Sequence, residues 1–122
     1  MCIRDSPLGC AAANASLDLL EKEPHKYLSL EEKHLSNLIK FTKLNYIKKI
    51  RVSGTIAAFD LEIGNKKGYF NNIGKEIKSR AMEQGLFIRP LGNVIYLLPP
   101  LCITDDQLEK SYWIIRQILE NL

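Results

Sequence analysis

The 122-residue sequence is poor in the residues that build disulfide frameworks and metal sites. Its three cysteines, Cys2, Cys10 and Cys102, are an odd number and form neither a CxxC pair nor a spacing typical of zinc sites. Its two histidines, His25 and His34, fall in a polar linker and on a polar helix face. The sequence therefore predicts no metal site, a reducing compartment and two surface histidines.

The sequence also lacks long apolar runs and a strong charge of one sign. No run approaches the roughly 18 residues of a membrane helix, and the residues before Cys10 lack the apolar core of an export signal. Seventeen basic and fourteen acidic residues leave a net charge of +3, and the lysines are scattered. We therefore expect a cytoplasmic protein that binds neither membrane nor nucleic acid.

The first part of the chain predicts two helices. One follows Pro7 and stops before Pro24, with a face of small and apolar residues at helical spacing. The other begins at Ser29, which forms a capping box with Glu32. The face of the first helix consists of Ala11, Ala12, Ala15, Leu19 and Leu20. The buried stripe predicted for the second helix is Leu35, Leu38, Ile39 and Thr42.

From Lys48 the apolar pattern changes to that of strands. "KIRVSGTIAAFDLEIG" predicts two strands with a bulge or bend at Gly54, followed by a turn at "NKKG". A third helix follows, with Gly85 as its C-terminal cap. Two more strands flank Gly92-Asn93, a two-residue hairpin signal. The apolar residues of the third helix, one turn apart, are Ile73, Ile77 and Ala81.

A last helix begins at Thr104, whose capping-box partner is Gln107. Strands and helices are therefore mixed without regular βαβ units. This order predicts an α+β fold with a small, mainly antiparallel sheet covered by helices. The predicted buried stripe of the last helix is Leu108, Tyr112, Ile115, Leu119 and Leu122.

One arginine interrupts the apolar stretch "FIRPLGNVIYLLPP". A lone buried cation is several kcal/mol or more unfavourable, so Arg89 must be exposed, paired or awaiting an anion. A hairpin turn at Gly92-Asn93 would place Arg89 directly across from Tyr96 on one face of the sheet. That pair could hold a carboxylate. Alternatively, Arg89 forms a structural ion pair with Asp60 or Glu62.

Asp60 and Glu62 themselves alternate along a predicted strand, so their side chains point to one face. Such a pair could act as an acid/base couple. A solvated edge of the sheet explains the same pattern. No nucleophile, metal site or phosphate loop is indicated by the residues alone.

Three segments resemble the carboxyl-terminal part of class III, pyridoxal-phosphate-dependent aminotransferases. They are "PLGCAAANASLDLLE", "GTIAAFDLE" and "A-x-E-Q-G-x-x-I-R-P-L-G-N-x-I-Y-L-L-P-P". The resemblance extends from Pro7 to about Leu122 and implies the small C-terminal domain of a fold-type I enzyme. It divides the chain into a non-native lead (1–6), the end of a large-domain helical region (7–23) and a small α+β domain (24–122).

The resemblance also implies roles for individual residues. In the family the arginine of the "RPxG" block holds the substrate carboxylate, which here is Arg89, and the tyrosine seven residues on, Tyr96, lines the same pocket. The lysine that binds pyridoxal 5'-phosphate covalently would lie upstream of Pro7. No lysine here matches it, so the chain alone is expected to be inactive and to contain no catalytic residue.

The branch of the family that the chain resembles most aminates 8-amino-7-oxononanoate in biotin biosynthesis. Its amino donor is S-adenosylmethionine, and the resemblance implies a homodimer at full length. Two alternatives stay open at this point. One is another class III aminotransferase that uses a different ω-amino acid, and the other is a non-catalytic α+β binding module.

Overall fold

The computed structural model describes residues 6–23, 25–62 and 73–122. Within them the architecture is the predicted α+β fold. The predicted "NKKG" turn, Pro24 and residues 1–5 lie outside the described residues. The elements, in order, are α1 (Pro7–Lys22), α2 (Lys26–Ile39), a 3₁₀ helix (Lys40–Lys43), β1 (Ile47–Ser53), β2 (Ile56–Leu61), α3 (Ile73–Glu83), β3 (Val94–Leu97) and α4 (Asp105–Glu120).

The three described strands form one antiparallel sheet in the order β1-β2-β3. Ser53 pairs with Ile56 across a two-residue turn, in which Gly54 has a φ of 56°. The sequence therefore correctly predicted a bend at this glycine. The bulge lies elsewhere, between Lys48 and Arg51 of β1, where one extra residue enters the ladder.

The middle strand, β2, is the centre of the hydrophobic core. Ala57 and Phe59, on one face of this strand, belong to the core, and Ala58 on the other face is also buried. The ring of Phe41, in the 3₁₀ helix, lies 5.8 Å from that of Phe59 and 5.9 Å from that of Tyr112 on α4. The packing therefore joins the 3₁₀ helix, the sheet and α4.

Helix α4 matches its prediction closely. The Thr104 side chain accepts a hydrogen bond from the Gln107 backbone, and the Gln107 side chain accepts one from the Thr104 backbone, so the capping box forms. The predicted stripe is buried except at its last position, where Leu122 is 42% exposed beyond the end of the helix. Trp113 lies off the stripe and is 58% exposed. None of the described helices is long and apolar enough to cross a bilayer.

The prediction for α2 was wrong in its start and, except at Leu38, in its buried face. The helix begins at Lys26, one turn before the predicted cap, and the Ser29 N–H donates to the His25 carbonyl as an ordinary helical bond. Ser29 is therefore inside the helix and caps nothing. The buried face is Leu30, His34, Asn37 and Leu38, whereas the predicted Leu35, Ile39 and Thr42 are exposed.

His34 was predicted on the surface and is fully buried instead. Its Nε2 lies 3.2 Å from the Thr55 carbonyl oxygen, and its Nδ1 lies 2.6 Å from the Tyr112 hydroxyl. The carbonyl only accepts, so Nε2 carries the proton and Nδ1 accepts from Tyr112. Burial lowers the pKa of His34, against a smaller raising effect of the Thr55 bond, and burial raises the pKa of Tyr112.

Helix α1 contributes nothing to this core. The Ser6 side chain caps it by accepting from the Gly9 N–H, and Pro7 occupies its first turn as predicted. No residue of α1 is buried, and Leu8, Leu17 and other leucines are largely exposed. The described part of the chain therefore leaves the apolar side chains of α1 largely exposed.

We predict that buried His34 makes the fold acid-sensitive. The pKa of His34 is lowered in the folded state, whereas the unfolded value is 6.5. The full stabilisation is therefore present above pH 6.5 and declines as the pH falls from there to the folded pKa. The expected slope is at most about 1.4 kcal/mol per pH unit. Urea unfolding between pH 7.5 and 5 would measure it.

The matched control is His25→Gln, which removes the exposed histidine. Its free energy of unfolding should depend on pH as that of the parent does. Tyr112→Phe removes the hydroxyl that donates to His34 and should lower the free energy of unfolding at pH 7.5 by about 1–3 kcal/mol. An unchanged slope after replacement of His34 by Gln would show that other groups cause any acid sensitivity.

We also predict that α1 makes the isolated chain associate with itself. Exposed apolar patches favour association, so light scattering should show oligomers and α1 amides should exchange rapidly. The double substitution of Leu17 and Leu19 by Lys should reduce association, whereas the same change at Leu28 and Leu35, exposed on α2, should not. A compact monomer with well-protected α1 amides would instead favour a free-standing binding module.

Candidate carboxylate-binding site

Arg89 lies on the segment that joins α3 to β3. Helix α3 ends in a Schellman motif: the Gly85 N–H donates to the Met82 carbonyl at 3.0 Å, and the Leu86 N–H donates to the Ala81 carbonyl at 2.9 Å. Gly85 has a φ of 78°, a value that glycine adopts without strain. The C-terminal cap predicted at this glycine is therefore confirmed, and it turns the chain back toward the sheet.

The predicted hairpin turn forms after Arg89. Leu91 and Val94 exchange both backbone hydrogen bonds, at 2.9 and 3.0 Å, around a turn in which Gly92 has a φ of 63°. The Asn93 side chain donates to the Leu61 carbonyl at 3.1 Å, and the Leu61 N–H donates to the Asn93 carbonyl at 2.9 Å. These bonds fasten the turn to the end of β2.

The strand predicted before this turn does not form. Residues 86–90 belong to no strand, and Arg89 is not paired with Tyr96 in the described sheet. The ring of Pro90 holds its φ at about −65°, away from the roughly −140° of a regular antiparallel strand, and this disfavours a ladder beyond the turn. Ile88 is buried and anchors the segment, while the neighbouring Phe87 and Arg89 are exposed.

Arg89 and Tyr96 nevertheless line one cavity of about 360 Å³. Tyr96 pairs with Ala58 in the sheet, and its neighbours Ile95 and Leu97 are buried on the other face. Tyr96 therefore points away from the packed face of β3, toward the cavity. The apolar wall of the cavity includes Leu86, Phe87, Leu98, Pro99, Ile103 and Leu108.

The charge in this cavity is unbalanced. Among the described residues that line it, Arg89 is the one with a formal charge, and no carboxylate lies beside it. Ser111 also lines the cavity, and its hydroxyl donates to the Gln107 carbonyl at 2.8 Å. Within the described contacts, the Arg89 guanidinium and the Tyr96 hydroxyl have no side-chain partner. The cavity can therefore take a ligand with an anionic end and an apolar body.

The alternative prediction, an ion pair between Arg89 and Asp60 or Glu62, is not observed among the described residues. Asp60 instead binds β1: its carboxylate lies 2.7 Å from Arg51 Nη1 and 3.6 Å from Lys49 Nζ. Arg51 also donates to the Lys49 carbonyl at 2.8 Å, across the bulge. The half-buried Asp60 thus stabilises the sheet, and no described ion pair joins Arg89 to Asp60 or Glu62.

A second cleft, of about 420 Å³, lies between the 3₁₀ helix and α4. It contains three cations, Lys40, Lys110 and Arg116, but also the carboxylates of Asp106 and Glu109. Because these charges largely compensate, the Arg89 cavity is the better candidate for an anion. Over the described residues, no group of three or more His, Cys, Asp or Glu side chains could hold a metal ion.

A family model for class III aminotransferases matches residues 5–119. The chain belongs to the class III aminotransferase family. It is 41% identical, over 96% of its length, to adenosylmethionine-8-amino-7-oxononanoate aminotransferase of Synechococcus elongatus. It is 33% identical, over 94% of its length, to the protein of the same name from Helicobacter pylori. The chain spans only 27% of each of these relatives.

Solved structures agree with this membership. The crystal structure of adenosylmethionine-8-amino-7-oxononanoate aminotransferase from Methanocaldococcus jannaschii superimposes with a TM-score of 0.73 at 27% identity, over 88% of this chain and 27% of that one. A structure described as "Transaminase with L-ala" gives a TM-score of 0.83 at 19% identity, which shows the shared fold. It covers 94% of this chain and 28% of that one. The α+β fold of this class III chain is thus that of about a quarter of a transaminase.

Class III aminotransferases depend in general on pyridoxal phosphate. A site for this cofactor needs a lysine for the covalent link and an acidic partner for the pyridine nitrogen. The described residues that line the Arg89 cavity include neither a lysine nor a carboxylate. The described cavity therefore does not fit the cofactor.

The sequence interpretation singled out Arg89 and Tyr96 but missed the residues around them. Lys78 of α3 stands 5.8 Å from the ring centre of Phe87, which itself lines the cavity. Asn93 was predicted only as a turn residue, whereas its side chain also fastens the turn to β2. No local sequence pattern predicts either contact, because each joins residues from different elements.

Proposed function

We propose that this chain supplies the carboxylate-binding part of an aminotransferase that converts 8-amino-7-oxononanoate to 7,8-diaminononanoate. The amino donor in this proposal is S-adenosylmethionine, and the pathway is biotin biosynthesis. The names of the relatives support the reaction. The observation that carries the proposal is the cavity that Arg89, without a described partner, lines together with Tyr96 and an apolar wall.

Each part of the cavity has a role in this proposal. The planar guanidinium of Arg89 binds the substrate carboxylate through two parallel hydrogen bonds. The Tyr96 hydroxyl gives the same carboxylate a further donor. The apolar wall accommodates the aliphatic chain, and the distance between Arg89 and the reacting carbon selects the chain length. The cofactor would act in the remainder of the protein, as the electron sink of the amino transfer.

The proposed function also implies a division of the chain. Residues 24–122 would form the small domain, residues 7–23 would end the helical part of a large domain, and residues 1–6 would be a non-native lead. The unburied α1 supports a partner for residues 7–23 outside the small domain. The whole protein would be a cytoplasmic homodimer that acts on small molecules.

We predict that Arg89→Ala damages use of the acceptor acid more than use of the donor. In a full-length protein that carries this chain, the substitution truncates one partner of a bidentate ion pair. It should reduce kcat/KM for 8-amino-7-oxononanoate roughly 30- to 3000-fold, which corresponds to a loss of about 2–5 kcal/mol of transition-state stabilisation. Arg89→Lys should restore only part, because an ammonium group lacks the planar fork. Tyr96→Phe should lower the transition-state stabilisation for the same acid by only about 0.5–1.5 kcal/mol.

Single-turnover kinetics of the donor and acceptor half-reactions would separate the two effects. Arg116→Ala is the matched control, because it removes an exposed arginine of α4 that pairs with Glu120 away from the cavity. If Arg89→Ala keeps both half-reactions but lowers the melting temperature, Arg89 has a structural role and the site assignment is wrong.

We predict that the 122-residue chain alone has no transaminase activity. No lysine here matches the family's cofactor lysine, so pyridoxal phosphate should react with the chain only weakly and without selectivity. Borohydride reduction followed by peptide mass spectrometry would locate any modified lysine. A stable adduct on one specific lysine would contradict the prediction.

A further inference from the structure

The turn that follows Arg89 packs against α3 at a glycine. Gly74, in the first turn of α3, is buried. A Cβ atom added there would lie 2.3 Å from the Gly92 carbonyl oxygen and 2.9 Å from Pro90 Cβ. Both distances are below the 3.0 Å that real Cβ contacts respect. The obstructing atoms belong to the backbone and to a proline ring, so no flexible side chain can move aside.

We infer that Gly74 is a positioning residue for Arg89. The missing side chain lets the 90–92 turn sit directly on α3, and this contact sets where the guanidinium stands at the cavity. The inference rests on the proposed function, because it assumes that Arg89 binds the substrate carboxylate.

The backbone transmits a displacement of the turn to Arg89. The ring of Pro90 fixes its own φ and restricts the preceding residue, Arg89, to extended conformations. On the far side, Asn93 is held to Leu61 by two hydrogen bonds. These bonds oppose a movement of the whole turn away from a side chain at Gly74. We therefore expect the displacement to fall on residues 89–92, which include the arginine.

Other glycines of the chain do not share this environment. A Cβ atom at Gly85 would meet no atom within 4 Å, and one at Gly9 in α1 would have its nearest neighbour at 3.6 Å, the Ser6 Cβ atom. Gly9→Ala is therefore a matched control, since it makes the same substitution in a helix that has room for it.

The test compares two acceptors in the full-length enzyme: 8-amino-7-oxononanoate and its methyl ester, which lacks the carboxylate charge. We expect Gly74→Ala to reduce kcat/KM for the acid by roughly 10- to 100-fold, as a displacement of about 1 Å can do. The loss for the ester should be less than threefold. In an Arg89→Ala background, Gly74→Ala should produce no further selective loss, because the group that it displaces is already absent.

Each outcome separates the inference from the proposed function. If Gly74→Ala reduces both acceptors equally while Arg89→Ala remains selective for the acid, Gly74 is merely structural and the inference is wrong. If Arg89→Ala itself does not discriminate between the acid and the ester, the proposed function fails and the inference with it. Gly9→Ala should leave the ratio of kcat/KM for the acid to that for the ester as in the parent, because α1 contributes no residue to the Arg89 cavity.

If Gly74→Ala does not fold, Asn93→Ala replaces it in the same test. Asn93→Ala removes the side-chain bond to Leu61 and loosens the same turn from its other side. It should show the same selective loss for the acid, and the same disappearance of that loss in the Arg89→Ala background. Equal losses for the acid and the ester would show that the position of the turn does not govern Arg89.

Discussion

The central strand β2 is the constraint on which the described structure depends. It is hydrogen-bonded to β1 on one side and to β3 on the other, and Ala57, Ala58 and Phe59 are buried one after another. Ala58 pairs with Tyr96, which fixes the tyrosine at the cavity. The end of the strand, at Leu61, holds the turn that follows Arg89. A shift of β2 by one residue would therefore move both sides of the candidate site.

Two arginines of the chain show how environment decides the role of a charge. Arg51 lies 2.7 Å from Asp60, which compensates its charge, and donates to a backbone carbonyl in the bulge of β1. Arg89 stands at an apolar cavity and has no counterion in the described part of the chain. A cation whose surroundings are apolar attracts an anion more strongly than one surrounded by compensating charges. This difference makes Arg89, rather than Arg51, the candidate for ligand recognition.

The described residues form a packed body, from α2 to α4, and an exposed helix, α1. The body, from α2 to α4, packs its apolar residues around the sheet, with α2 on β1 and β2 and α3 against α4. Helix α1 exposes its leucines and is stabilised by its own backbone bonds and its Ser6 cap. Isolated helices of this length are marginal in water. An external partner for α1 agrees with a chain that spans about a quarter of its relatives.

The sequence by itself determined the features that depend on neighbouring residues. The capping box at Thr104, the cap at Gly85 and the turn at Gly92 were all predicted, because their hydrogen bonds close within a few residues. Arg89 and Tyr96 were also singled out, from their apolar surroundings and the family resemblance. The strand that the apolar pattern predicted before the turn does not form, and the fixed φ of Pro90 disfavours it.

Only the tertiary structure decided the buried face of α2 and the support of the site. His34 is buried because the Tyr112 hydroxyl, 78 positions away, satisfies its ring nitrogen. Gly74 matters because the distant Gly92 carbonyl approaches it. A polar residue can enter a core wherever a partner meets it there, and the fit of a glycine depends on the opposing backbone. Neither partner can be found from local spacing, because folding brings together segments that are remote in the chain.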